Sequence, residues 1–189
     1  AEMATMRTEK CILAGFGGQG IMLMGQLLAQ AALDEGLEVS WLPSYGPEMR
    51  GGTANCSVII SPEQIPSPVI AHDATSLIVM NLPSMEKFVP DLVPGGYALV
   101  NSSLIEEKVT RPHVTAIYVP ANDIALELGN QTMTNMVMLG AFVQVTGCVR
   151  PESVLGALEH KLGERKAHFM ELNRVAFARG AECAQAAAS

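Results

Sequence analysis

Residues 15–20 have the spacing of a phosphate-binding loop. Their sequence, GFGGQG, matches the pattern G-x-G-x-x-G through Gly15, Gly17 and Gly20. In such a loop the first glycine permits a tight turn, the second lets the backbone approach a phosphate, and the third allows close helix packing. Free N–H groups at the start of the following helix then attract an anion. A tight turn that binds nothing is the alternative, and the strand before and helix after the loop favour binding.

The second predicted strand argues against NAD as the ligand. An NAD-binding fold places an acidic residue about 20 positions after the glycines, at the end of that strand, to hold the ribose hydroxyls. Here the strand ends in Trp41, Leu42 and Pro43, while Glu38 lies near its start. A free-standing NAD(P)-dependent dehydrogenase is therefore disfavoured, and another phosphate-bearing ligand remains open.

A second loop, SYGPEMRGG at residues 44–52, follows this strand and faces the predicted ligand crevice. Arg50 is the only cation between Lys10 and Lys87. It could be a solvated side chain or pair with Glu48, or it could contact a phosphate or carboxylate. Taken alone, the loop favours a solvated Arg50 or a pair between Arg50 and Glu48.

Strands that alternate with helices must position these loops. The pattern predicts an α/β, Rossmann-like fold with a mostly parallel sheet flanked by helices and a helical C-terminal part. We expect one domain over residues 1–189. Asn122 is the predicted N-cap of the first C-terminal helix. The predicted strands are 10–15, 37–43, 53–61, 75–81, 95–101 and 114–120, and the predicted helices are 19–35, 83–92, 121–130, 134–147, 150–163 and 164–185.

Composition narrows the class of protein. The net charge of −7, with no Lys/Arg cluster, disfavours nucleic-acid binding. Four scattered cysteines offer no zinc or iron–sulfur motif and indicate reduced thiols in a cytoplasmic protein. Residues 11–33 and 128–149 carry no charge, yet their glycines and amides indicate buried elements and not membrane spans. Their methionines could fill the core or form a subunit interface, and we slightly favour the interface. These methionines are Met22, Met24, Met133, Met136 and Met138.

Three motifs together resemble one known family. GFGGQG, then SYGPEMRGG with SVIIS behind it, then NMVMLGA at 135–141 occur in this order and spacing. The chain from about residue 10 to 181 thereby resembles the gamma subunit of 2-oxoacid:ferredoxin oxidoreductases, which also occurs as a fused domain in single-chain pyruvate:ferredoxin oxidoreductases. The form SYGPE resembles the 2-oxoglutarate and pyruvate branches more than the indolepyruvate branch, and a short stand-alone chain of this form is most similar to the 2-oxoglutarate (KorC-like) type.

The resemblance implies a subunit of a larger enzyme. Such complexes convert a 2-oxoacid and coenzyme A into acyl-CoA and CO2 and reduce ferredoxin. It implies that thiamine diphosphate, magnesium and iron–sulfur clusters belong to partner subunits, and that this chain packs on them and positions CoA. The isolated chain would be inactive and has no catalytic residue of its own, while a homodimer of the isolated chain stays open.

Carried over onto this sequence, the resemblance implies a CoA site on both loops and on the start of a buried helix. Backbone N–H groups of residues 17–20 would meet CoA phosphate or pantetheine oxygens, and Arg50 would pair with a phosphate or brace the interface. Pyruvate or a branched-chain oxoacid as substrate, a CoA sensor and a purely structural adaptor remain alternatives. The implied site residues are Gly15, Phe16, Gly17, Gly18, Gln19, Gly20, Tyr45, Glu48, Arg50, Gly51, Gly52 and Asn135.

Overall fold

A computed structural model of the chain describes residues 7–45 and 53–187. The strands are β1 (Glu9–Phe16), β2 (Glu38–Tyr45), β3 (Thr53–Ser61), β4 (Ala74–Val79), β5 (Leu92–Asn101) and β6 (Thr115–Val119). The helices are α1 (Ile21–Asp34), α2 (Leu82–Phe88), α3 (Ala121–Glu127), α4 (Thr134–Thr146), α5 (Pro151–Leu162) and α6 (Met170–Ala187). Three 3-10 segments, Val89–Asp91, Gln131–Met133 and Glu164–Phe169, precede β5, α4 and α6.

The six strands form one sheet in the order β2-β3-β1-β4-β5-β6. Strands β1, β4, β5 and β6 run parallel to their neighbours in this group. Strand β3 is antiparallel to both β1 and β2, so β2 again points the same way as β1. The predicted α/β fold with a mostly parallel sheet and a helical C-terminal part is confirmed.

The position of β2 corrects one step of the sequence interpretation. A ribose-binding acid would be expected at the end of the strand next to β1. That strand is β3, which lies between β2 and β1. The chain turns back after β2 and inserts β3 antiparallel, a pairing that the local pattern does not reveal. At the edge where β1 ends, Thr53 and Ala54 of β3 lie opposite Phe16 and Gly15. Neither of these two residues is acidic, so neither supplies a carboxylate for the ribose hydroxyls.

Helices cover both faces of the sheet. On one face α1, α3, α4, α5 and α6 pack in a core layer with residues such as Leu13 and Ile78. On the other face Met85 and Phe88 of α2 pack against Leu77 and Val79. Strand β4 is thus apolar on both sides, as expected for a central parallel strand.

Helix α4 is a core helix, which corrects the preference for a subunit interface. Residues 136–143 are all buried within this chain, mainly against α1, α3, α6 and β5. The methionines in α4, together with Met24 and Met133, are therefore core side chains, and Met22 is partly buried. Gly140 and Gly180 allow the backbones of α4 and α6 to touch.

Three predicted helix boundaries were wrong. Asn122 lies inside α3, which begins after Pro120, so it does not cap that helix. The predicted helix 83–92 ends at Phe88, because a 3-10 turn containing Pro90 leads directly into β5. The last predicted helix is divided at Lys166, whose φ of −114° and ψ of 16° are not helical.

The described residues contain no helix long and apolar enough to cross a membrane.

Burial raises the pKa of the Cys56 thiol to about 11, that of Cys148 to about 12, and that of Cys11 well above its usual value. These three cysteines are buried and free, so they are protonated core residues.

Candidate functional site

The glycine loop lies where the sheet changes its direction of winding. Strands β1 and β4 are parallel neighbours, but their following helices leave toward opposite faces. Met24 of α1 belongs to one core layer, and Met85 of α2 belongs to the other. Helices that diverge in this way open a crevice at the carboxyl ends of the two strands, which is the usual ligand position in such sheets.

Gln19 closes the glycine loop on itself. Its backbone N–H donates to the Phe16 carbonyl over 3.2 Å, and its Oε1 accepts from the Phe16 N–H over 2.6 Å. A Cβ at Gly15 would lie 2.6 Å from that same Oε1 and 2.9 Å from Cβ of Met80. The tight turn therefore requires glycine at position 15, as the motif predicts.

The end of the loop requires glycine for a second reason. Gly18 and Gly20 have φ angles of +89° and +77°, in the left-handed region that favours glycine. A Cβ at Gly20 would also lie 2.6 Å from Nδ2 of Asn135 in α4. The third glycine of the motif thus makes room for α4, where the motif predicted close packing between α1 and β1.

Helix α1 presents its amino end without a side-chain cap. Its N-cap is Gly20, and the first N–H bonded within the helix is that of Met24, which donates to the Gly20 carbonyl over 3.0 Å. The N–H groups of residues 21–23 have no acceptor within α1, and its first turn contains no acidic residue. This end of α1 therefore attracts anions.

A cleft of about 520 Å³ opens beside the loop. Its polar side comes from residues 18–20, from Asn122 and from the segment 131–135 that leads into α4. Its other wall comes from α5, the 3-10 segment Glu164–Phe169 and α6. The apolar members of this wall include Leu158, Leu162 and Phe169. The cleft can therefore hold an elongated ligand with both polar and apolar parts.

Asn135 places an unsatisfied oxygen at this cleft. The residue lies in the first turn of α4, and its Oδ1 is buried without a hydrogen-bond partner. Most buried polar atoms in native proteins are hydrogen-bonded, directly or through water. Because Asn135 also borders the cleft, its side-chain amide is a candidate group for binding a polar ligand.

Three further asparagines stand at or after the ends of the parallel strands, and the sequence alone did not indicate their place at the site. Asn81 follows β4 and is 3% exposed; its Oδ1 accepts from the Ser84 N–H over 2.9 Å, while its Nδ2 has no partner. Asn101 ends β5 and donates to Asn122, which borders the cleft, over 2.7 Å. The available signal was an asparagine at or just after the end of successive apolar strands. These amides fix the loops at the ligand edge of the sheet.

The described residues lining the cleft include no Asp, Glu, His or Cys, and Lys166 is their one charged side chain. No group of three His, Cys, Asp or Glu side chains able to hold a metal occurs within residues 7–45 and 53–187. The arrangement of glycine backbone, helix end and neutral amides is suited to binding and orienting a ligand.

Comparison with known proteins identifies the family. Residues 10–183 match the sequence pattern described as pyruvate ferredoxin/flavodoxin oxidoreductase. The chain belongs to this oxidoreductase family. The resemblance that the three motifs indicated is thereby confirmed.

Relatives within the family are named as oxidoreductase subunits. The chain is 37% identical to the 2-oxoglutarate synthase subunit KorC of Methanocaldococcus jannaschii, over 92% of each chain. It is 44% identical to the ketoisovalerate oxidoreductase subunit VorA of Methanothermobacter thermautotrophicus over 131 residues, 69% of this chain. The match covers only 27% of that longer VorA protein. A third relative is the common gamma subunit of the pyruvate/ketoisovalerate oxidoreductases of Thermococcus kodakarensis, 33% identical over 83% of this chain and 90% of that one.

Solved structures of family members share the fold. The gamma subunit of a keto/oxoacid ferredoxin oxidoreductase from Geobacter sulfurreducens superposes with a TM-score of 0.80 and 33% identity, over 94% of this chain and 99% of that one. A 2-oxoglutarate:ferredoxin oxidoreductase from Magnetococcus marinus, with 2-oxoglutarate, coenzyme A and succinyl-CoA bound, superposes with a TM-score of 0.87 and 25% identity. That match covers 95% of this chain and 31% of the other.

The structure brings together five of the site residues that the oxidoreductase resemblance implied. Gly15 and Gln19 shape the loop, Gly18, Gln19, Gly20 and Asn135 line the cleft, and Gly20 touches Asn135. These contacts support the position of the site, while its ligand stays a proposal.

The other implied residues lie at the same sheet edge or outside the described chain. Phe16 ends β1 and is 39% exposed, and Gly17 is exposed beside it. Tyr45 ends β2 opposite Ala54, which in turn lies opposite Gly15, so both loops begin at one edge. The remaining four residues lie outside the described residues, and their assignment stays a prediction from sequence; these are Glu48, Arg50, Gly51 and Gly52.

Proposed function

We propose that this chain is the gamma subunit of a thiamine-diphosphate-dependent 2-oxoacid:ferredoxin oxidoreductase and that its cleft binds coenzyme A. The complex would convert a 2-oxoacid, CoA and oxidised ferredoxin into acyl-CoA, CO2 and reduced ferredoxin. The observation that carries the proposal is the contact of Gly20 with Asn135, which sets the side-chain amide of Asn135 beside the free amino end of α1.

The cleft has the chemistry that CoA requires. Phosphate oxygens need N–H donors and a positive potential, and the amino end of α1 offers both. The pantetheine arm carries amide N–H groups. The unpaired Oδ1 of Asn135 could accept a hydrogen bond from one of them. Its methyl groups could pack on the apolar side of the cleft, at Leu158, Leu162 and Phe169. The close similarity to the oxidoreductase from Magnetococcus marinus that has CoA bound adds support.

In this proposal the chain contributes positioning. Thiamine diphosphate, magnesium and iron–sulfur clusters in the partner subunits supply carbanion stabilisation and electron transfer. The glycine loop and Asn135 hold CoA so that its thiol reaches the partner subunit in one orientation, which raises its effective concentration. The isolated chain is expected to be inactive, and ferredoxin would meet it only through the complex.

We propose 2-oxoglutarate as the substrate. The relatives named as 2-oxoglutarate synthase subunits include one that matches this chain over 92% of both lengths, whereas the VorA match covers 27% of that protein. Pyruvate and branched-chain oxoacids are the alternatives, because relatives also carry those names. All four cysteines are free thiols, which suits the reducing cytoplasm where we place the complex.

Co-purification tests the assignment to a complex. The chain is expressed together with the genes that neighbour its own, purified on a tag on this chain, and assayed with CoA and a viologen acceptor. We expect CoA-dependent reduction with 2-oxoglutarate and weaker activity with pyruvate and 2-oxoisovalerate. Faster turnover of either of the latter would contradict the substrate, and failure to assemble with thiamine-binding and iron–sulfur subunits would contradict the function.

Asn135→Leu tests the site within that complex. Loss of the amide should raise the KM for CoA about tenfold, the effect of roughly 1.4 kcal/mol of binding free energy, while the KM for the oxoacid stays unchanged. The matched control is Gln144→Leu, at an exposed position in α4 away from the cleft. An Asn135→Leu complex with normal assembly and an unchanged KM for CoA would favour the structural-adaptor alternative.

A further inference from the structure

The cleft has the opposite electrostatic character from the rest of the chain. The sequence has 19 acidic and 12 basic residues. Yet the described lining of the cleft includes no carboxylate. Its two positive groups are the amino end of α1 and the ammonium group of Lys166. In a protein of net charge −7, these two groups give the cleft a local positive potential, because no acidic side chain in its described lining offsets them.

The fold directs Lys166 to this position. It lies in the 3-10 segment Glu164–Phe169, which interrupts the path from α5 to α6. The backbone departs from helical geometry at Lys166, with a φ of −114° and a ψ of 16°. Lys166 and Phe169 both border the cleft, whereas the neighbouring Arg165 does not.

Lys166 is available for a ligand. No ion pair within 4 Å joins it to a carboxylate in the described residues, whereas Lys10 pairs with Asp73. Because Lys166 is exposed on the cleft wall, its ammonium group can reach an anion there without a large cost of desolvation.

We infer that Lys166 is the positioning cation of this cleft and contacts the phosphate-bearing half of CoA. This inference rests on the proposed function and assigns the orientation of the ligand. The phosphate groups lie between Lys166 and the amino end of α1, and the pantetheine arm runs from there past Asn135 and the apolar wall, so that the thiol leaves the cleft toward the partner subunit. Lys166 acts by binding, so its loss should change affinity and leave the chemical step intact.

The assembled complex tests this orientation with adenosine 3′,5′-bisphosphate as the probe. Lys166→Gln should raise both the KM for CoA and the inhibition constant of the bisphosphate about tenfold, with kcat unchanged, as expected for one phosphate contact. Lys166→Arg should restore both constants to within about threefold of the wild type. Arg165→Gln is the matched control, since it removes an equal charge from the same exposed segment outside the cleft. The KM for pantetheine, which lacks the phosphates, should not respond to Lys166→Gln.

Other results would overturn the inference in distinguishable ways. If the bisphosphate competes with CoA and its inhibition constant is unchanged in Lys166→Gln, the proposed site stands and the role of Lys166 is wrong. If Arg165→Gln has the same effect as Lys166→Gln, the effect is long-range charge and not a contact. If the bisphosphate does not compete with CoA in the wild type, CoA lies elsewhere and the proposed site fails together with the inference. Calorimetric titration of the bisphosphate into the purified chain gives a reading independent of assembly, and binding that Lys166→Gln leaves unchanged also refutes the contact.

Discussion

Helices α4 and α6 cross with no room for a side chain between their backbones. A Cβ added at Gly140 would lie 2.0 Å from the carbonyl oxygen of Phe177, and one added at Gly180 would lie 1.8 Å from that of Val137. Both oxygens belong to helical backbone, so neither can rotate away. We predict that Gly140→Ala destabilises the chain although alanine is the better helix former.

The magnitude follows from the size of the overlap. The 2.0 Å distance would have to increase by about 1.4 Å to reach the 3.4 Å where ordinary contacts begin. Overpacking of this kind costs about 1–3 kcal/mol, and the displacement of two packed helices belongs at the upper end. Helix propensity returns about 1 kcal/mol. The net loss is therefore about 2 kcal/mol, which lowers the Tm by about 4–8 °C in a chain of this size.

Gly156→Ala is the matched control, because Gly156 lies within α5 and a Cβ there would meet no atom within 4 Å. Here only propensity acts, and the same substitution should raise the Tm by about 2–4 °C. Thermal unfolding of the full chain, followed by circular dichroism, compares the two variants directly. If Gly140→Ala matches or exceeds the wild-type Tm, the close crossing of α4 and α6 is incorrect. Since α4 carries Asn135, Gly140→Ala should also raise the KM for CoA in the complex.

Two further predictions concern titratable groups. A hydrogen bond from Lys10 lowers the pKa of Asp73 below its usual 3.8, so its contribution is present above that pH and is lost as the pH falls through the lowered value. Because the pair is partly exposed, Asp73→Asn should cost less than about 1 kcal/mol in urea unfolding at neutral pH and nothing at strongly acidic pH. Burial raises the pKa of Cys183 as well, but this cysteine is only half-buried, so at alkaline pH a thiol reagent should react with it first and with the three buried cysteines only after unfolding. Cys183→Ser should remove the fast phase, and a fast phase that persists would show that the core opens.

The elements that sequence predicts well here are those with a local cause. Strand β1 followed by the glycines and α1 is encoded within about 25 adjacent residues, and each strand shows its own apolar run. The requirement for glycine at position 15 could be predicted from the tight turn alone. The 3-10 break at Lys166 was missed, because the charge pattern on either side of it fits one continuous amphipathic helix.

The features that sequence could not give depend on pairing over long distances. Pro43 in β2 is compatible with the edge position of that strand, but nothing in the two strands shows that β3 pairs antiparallel with β1, since both have similar apolar content. The asparagines after β4 and β5 are each ordinary residues in the sequence. Only the parallel register places their amides along one edge, where Asn101 reaches Asn122.

The contact between Gly20 and Asn135 explains why the motif alone did not identify the ligand. The loop supplies the shape of the turn and the positive end of α1, which would suit any phosphate. The groups that could select one ligand lie on α4 and on the wall that ends in Lys166, more than 100 residues later in the chain. Their distance from the loop is set by the crossing of α4 with α6, where Gly140 and Gly180 leave no slack. Selectivity at this cleft is therefore a property of helix packing, and substitutions at the crossing should change affinity for CoA without touching the loop.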